Sequence, residues 1–237
     1  MNSDKKVARI AGLLYLVVVV TGIFNLAYVP SKLIVWDNAS VTVKNIMEHE
    51  TLFRLGIFGG LICYTAFLLL PLVLYKLFKP IDKTYAVLMT VFAMVSVPIS
   101  FINMENKFSV LTLLSKADYL KAIDADMLQT QVMFYLHSYN NGNQIASIFW
   151  GLWLFPLGYL IFKSGLLPKV LGIFLIVGCF GYLINFTGNF LFPNYDKATI
   201  SNYITLPASI GEIGTCLWLL IMGAKSYNQT VNSTHEK

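Results

Sequence analysis

The chain has 237 residues, 57% of them hydrophobic and 12% charged, whereas soluble domains average about 45–50% apolar and about 25% charged. With several long charge-free runs, this composition excludes an ordinary soluble domain and implies a polytopic α-helical membrane protein. The net charge of +5 is not gathered into a patch, since no basic cluster exceeds the adjacent pair Lys5 and Lys6, and no nucleic-acid partner is expected.

Met1–Arg9 carries Lys5, Lys6 and Arg9, and Ile10–Val29 is uncharged. The pattern resembles the head and apolar body of a signal peptide. The apolar run is about 20 residues, however, long enough to span, and no A-x-A cleavage pattern follows. An uncleaved first helix is therefore expected over 10–29. Pro30–Phe53 is polar and mixed in charge, with a short surface helix expected from near Ser40. Arg54 opens the second span, 55–75, which has Pro71 near its end. A tight connection containing Pro80 leads to the third span, 84–104, with a kink expected at Pro98.

The hydrophilic piece Glu105–Asp126 contains FSVLTLLSKADYLKAI. Its near-helical apolar spacing predicts an amphipathic helix against the bilayer or the bundle. The fourth span is expected over 145–162, with an N-terminal extension if the helix passes Asn141–Gly142. The fifth covers 170–192 and the sixth 205–223. With no internal repeat and no low-complexity linker, the chain reads as a single all-α domain. Its expected architecture is a six-transmembrane-helix bundle with short amphipathic helices in the outer loops.

Six spans place both termini on one side. That side collects Lys5, Lys6, Arg9, Lys76, Lys79, Lys83, Lys163, Lys169, Lys225 and Lys237 against Asp4, Asp82 and Glu236. Ten basic residues against three acidic ones leave +7, while seven against nine on the other side leave −2. The positive-inside rule then orients both termini toward the cytoplasm, in a bacterial inner membrane.

Polar residues gather toward the outer ends of the spans. Asn25 lies there on the first helix, Arg54 at the mouth of the second, and Asn103, Glu105 and Asn106 at the exit of the third. His137, Asn140, Asn141, Asn143 and Gln144 enter the fourth, and Asn185, Thr187 and Asn189 leave the fifth. Glu212, the one ionisable residue in ITLPASIGEIGTCLWLLIMG, sits about 10 Å of helical rise beyond Thr205. A carboxylate at the centre of a span costs roughly 2.5–3.5 kcal/mol on insertion scales, so it needs company. Asn185 and Asn189 share a face with Tyr182, and His137, Asn141 and Gln144 form a stripe if the helix is unbroken. The expected arrangement is an outward-facing polar pocket of Glu212, Arg54, His137, Asn141, Gln144, Asn185, Asn189, Glu105 and Asn25, with Arg54 as charge partner and His137 second. The bland readings are an interfacial carboxylate, a structural ion pair and amides that bond between helices. Trp150, Trp153 and Trp218 read as packing or belt residues.

Known catalytic constellations fail. A serine protease needs Ser and His on facing helices, but His137 shares its helix with Ser147, and no G-x-S-x-G occurs. No pair of membrane aspartates exists. His49, His137 and His235 do not make a zinc set, and neither H-E-x-x-H nor G-x-G-x-x-G is present. Cys63, Cys179 and Cys216 read as buried small side chains. No metal, no cofactor and no catalytic residue is assigned.

The block FWGLWLFPLGYLIFKSGLLPKVLGIFLIVGCFGYLINF, Phe149–Phe186, the opening ARIAGLLYLVVVVTG and the closing GEIGTCLWLLIMGAK together resemble the bacterial membrane family catalogued as domain of unknown function 4386. The resemblance runs through essentially the whole chain. It implies an integral inner-membrane protein and brings no activity. The leading expectation is a protein among membrane lipids that binds or carries a small molecule, lipid head group or cation. The alternatives are an enzyme acting on an outer-leaflet amphiphile, with His137 as general base, and a structural or assembly subunit. The pattern carries no oligomeric state.

Overall fold

In lipid every backbone amide must be bonded within its own segment, and the long apolar runs accordingly form helices. A computed structural model describes residues 3–115, 117–118, 122–195 and 198–224. Lys225, His235, Glu236 and Lys237 of the expected tail lie outside these residues, as do Lys116 and 119–121 of the expected amphipathic segment. The helices are α1 (Ser3–Ile23), α2 (Val29–Leu33), α3 (Ala39–Glu48), α4 (Glu50–Phe78), α5 (Lys83–Asn103), α6 (Glu105–Leu113), α7 (Ala125–Leu152), α8 (Leu154–Ser164), α9 (Lys169–Leu191), α10 (Thr199–Tyr203) and α11 (Leu206–Ile221).

Six helical stretches are long and apolar enough to cross a membrane: Asp4–Leu33, Glu50–Phe78, Lys83–Leu113, Ala125–Ser164, Lys169–Leu191 and Thr199–Ile221. Their lipid-facing surfaces carry large apolar side chains such as Phe58, Ile102, Phe134 and Phe190, the last two 65% and 73% exposed, which water would not tolerate in such number. This is an all-α, polytopic membrane protein.

Several spans outrun their apolar cores. α7 continues through Gly142 and joins α8 across Trp153 into one stretch of 40 residues. α4 and α5 continue through Pro71 and Pro98. The first span contains a π-turn, Phe24–Tyr28, between α1 and α2. Pro30 has no amide hydrogen to return to the preceding turn, and the ladder widens just before it, with Val29 N–H reaching back to Phe24 O. The expected surface helix is α3, whose N-cap Asn38 accepts from Val41 N–H. α6 follows α5 after the single turn residue Met104 and turns Lys107, Val110 and Leu111 inward.

The chain forms two compact units, and the division falls inside α1, α4, α5 and α7. The first comprises Met1–Leu16, Ala66–Val97 and Ile145–Lys237. Its centre is Trp153, fully buried, with the Phe67 ring edge-on at 5.1 Å and the Tyr15 ring at 5.9 Å. Small residues let the helices touch: a Cβ on Gly158 would lie 2.6 Å from Gly172 O, and one on Gly12 would lie 2.5 Å from Leu220 N. Asp82 caps α5 through Thr84 and Tyr85 N–H and accepts from Lys163 Nζ at 2.9 Å. The Lys163 ammonium holds the partly exposed Asp82 carboxyl below the usual aspartate range.

The second unit comprises Val17–Thr65 and Pro98–Gln144. Its core gathers Val29, Leu33, Ile46, Phe53, Val110 and Leu136 from α2, α3, α4, α6 and α7.

Because the Gly12 contact is with backbone, Gly12→Val should force α1 from α11 and cost roughly 1–3 kcal/mol. Thermal unfolding of the purified protein in detergent should show a clearly lower midpoint. An unchanged midpoint would contradict the close approach.

Candidate functional site

In the first unit, α1 and α11 pack antiparallel. Cys216 Sγ lies 3.7 Å from Gly12 O, and one turn further on Tyr15 Oη donates to Glu212 Oε1 at 3.1 Å. Three residues up one helix match four down the other, as antiparallel helices require. Ala8, Ala11 and Tyr15 form the buried stripe of α1 that makes this approach possible. Glu212 is half-buried, and Tyr182 of α9 is within electrostatic reach of the same carboxylate. No cation among the described residues forms an ion pair with Glu212. Further along α9, Asn189 Nδ2 donates to Asn185 O and Oδ1 at 2.8 and 3.3 Å, so this amide pair closes largely on itself.

In the second unit the π-turn carries the fully buried Asn25. Its Nδ2 donates to Tyr139 Oη at 3.2 Å, and its Oδ1 accepts from Lys107 Nζ at 2.7 Å. Lys107 is 2% exposed, with Nζ 4.1 Å from the centre of the Tyr139 ring. Beside it, Asn103 Nδ2 donates to Tyr139 O at 2.8 Å and Asn143 Oδ1 at 3.0 Å, and Asn106 Nδ2 donates to Asn103 Oδ1 at 3.0 Å. Gly142 leaves the space that the Asn103 amide fills.

The residues singled out in the sequence fall in different surroundings. Arg54, expected as the charge partner of Glu212, is exposed and pairs with Glu50 at 2.6 Å, because four-residue spacing puts both on one face of α4. His137 is exposed, its ring 4.9 Å from that of Trp36. Asn141 and Glu105 are exposed, and Gln144 is half-buried. Asn25 is the member of the expected set that lies deepest in the second unit.

Sequence reasoning missed Tyr15 and Lys107. A signal for the lysine was present: Lys107, Val110, Leu111 and Leu114 recur at helical spacing, which puts the ammonium stem on the apolar stripe of α6.

A family model described as domain of unknown function (DUF4386) matches residues 10–223. An uncharacterized protein of Archaeoglobus fulgidus is 33% identical over 81 residues, which cover 34% of this chain and 46% of that relative. The match thus spans less than half of the relative's length. No solved structure matches.

Asn103→Ala would leave the half-buried Asn143 Oδ1 without its donor and remove the second bond to the helical Tyr139 carbonyl, at a cost of roughly 1–3 kcal/mol. His137→Ala, on the surface, should change stability by less than about 0.5 kcal/mol. Equal thermal midpoints for the two variants would contradict the assignment of the buried network to Asn103.

Proposed function

We propose, for a chain that belongs to the family described as domain of unknown function (DUF4386), that it binds a small molecule bearing a positive charge at Glu212. A cation and the amine of a lipid head group are the two forms this ligand takes. One observation carries the reading: a carboxylate inside the sixth span accepts a neutral tyrosine hydroxyl, and no cation among the described residues neutralises it. A charge placed in a span without a counter-ion marks a ligand or ion path more often than a packing device. A second reading, a structural or assembly subunit, draws support from Asn103 and Asn143, whose amides are consumed in helix-to-helix bonds.

Thermal-shift measurements on the purified protein separate the two. The probes are alkali cations, primary amines and short-chain phosphatidylethanolamine, each set against a neutral counterpart. A positively charged probe at about 100 times its Kd should stabilise the native protein by about 2.7 kcal/mol. Glu212→Gln should fold at least as well, since an ionisable group within a span is replaced by a neutral one that still accepts from Tyr15, and lose the response. If no charged probe moves the native midpoint, or if Glu212→Gln responds equally, the structural reading takes its place.

The charge asymmetry of +7 against −2 supports an inner-membrane location with both termini in the cytoplasm. A fluorescent protein fused after Lys237 should glow in intact cells, and an alkaline phosphatase fusion at the same point should be inactive. The opposite pair of results would reverse the orientation.

A further inference from the structure

We propose that the lysines flanking two turns of the first unit form a surface site for the head group of an anionic phospholipid. The turns are 79–82, between α4 and α5, and 165–168, between α8 and α9. Four spanning stretches stop at them: two end at Phe78 and Ser164, and two begin at Lys83 and Lys169. Asp82 accepts from Lys163 Nζ at 2.9 Å, which ties the two turns side by side. Gly165, at φ 64°, ends α8, and the close approach of Gly158 to Gly172 lets α9 return directly against it.

Charge and depth together point to the ligand. Lys79, Lys83, Lys163 and Lys169 are all exposed. Asp82, the one carboxylate in either turn, is occupied by Lys163 and by the first amides of α5. No carboxylate among the described residues pairs with the other three lysines. Four lysines against one aspartate leave +3 on this surface. Lys79 Nζ lies 5.8 Å from the centre of the Tyr75 ring, Lys163 Nζ 5.3 Å from that of Tyr159 and Lys169 Nζ 5.2 Å from that of Phe162. Those rings stand near the ends of their spans, so the ammonium groups are held over aromatic faces at head-group depth. Phe162 and Val170, 43% and 53% exposed, carry the same surface into its apolar, lipid-facing part. A phosphate attached to acyl chains matches both parts, whereas a free phosphate matches only the first.

The site is independent of the cation reading at Glu212, and Glu212→Gln should leave it unchanged. The purified full chain in neutral detergent is titrated with phosphatidylglycerol, with phosphatidylcholine of the same chains and with glycerol phosphate. Half-saturation is read from the thermal midpoint, and bound lipid is counted by native mass spectrometry. Phosphatidylglycerol should raise the midpoint saturably, and the other two should not. Each lysine near an anionic head group is worth about fivefold in affinity, so Lys79→Gln, Lys83→Gln and Lys169→Gln combined should weaken half-saturation about a hundredfold. Lys32→Gln with Lys44→Gln, which lowers net charge in the other unit, should not. Asp82→Asn still caps α5 but frees Lys163, and should tighten half-saturation about fivefold. Equal responses to phosphatidylglycerol and phosphatidylcholine overturn the proposal. So does an effect reproduced by glycerol phosphate, or a loss as large in the Lys32 and Lys44 variant. Should the triple variant fail to fold, Asp82→Asn decides: unaltered or weaker half-saturation overturns the site.

Discussion

A carboxylate held among apolar helices must be met by donors of the protein itself, and here the donor is Tyr15. On insertion scales the charged group costs roughly 2.5–3.5 kcal/mol at the centre of a span. A hydrogen bond to a charged group returns about 1.5–3 kcal/mol. The two magnitudes are close, so the bond from Tyr15 makes Glu212 tolerable without neutralising it. The close approach at Gly12 matters for the same reason, since it brings the tyrosine of α1 to the level of the acid on α11.

The second unit meets the opposite charge by the same means. Lys107 is held by an amide oxygen and an aromatic face, both neutral. The neighbouring amides behave differently: Asn103, Asn106 and Asn143 give and accept among themselves and the Tyr139 carbonyl. Neutral polar groups in these spans thus close into networks that fasten helices together. The half-buried Glu212 and the buried Lys107, by contrast, meet only neutral partners among the described residues.

Much of this was legible in the sequence. Charge-free runs of spanning length read directly as helices, because in lipid there is no other way to bond the backbone. Glu212 stood out as the one ionisable residue in its run, and Asn25 by its depth. The partners were harder to read. Arg54 was the nearest basic candidate by depth, but depth alone ignores Glu50, four residues away on the same helix face. Tyr15 was invisible as a donor, since a tyrosine in a span reads as an apolar body and only the register of α1 against α11 reveals where its hydroxyl lies. Lys107 was hidden by its sequence neighbours, as Glu105, Asn106 and Ser109 make the segment look solvated while the helical stripe carries the lysine inward. The π-turn at Phe24–Tyr28, which supports Asn25, has no compositional mark beyond the proline that follows it.

The most direct test of the central interaction is a double-mutant cycle between Tyr15→Phe and Glu212→Gln, read as unfolding free energies of the purified protein. A carboxylate held by that hydroxyl predicts a coupling energy of about 1–3 kcal/mol. Effects that add to within about 0.5 kcal/mol would show that the tyrosine does not hold the acid, and would contradict the account.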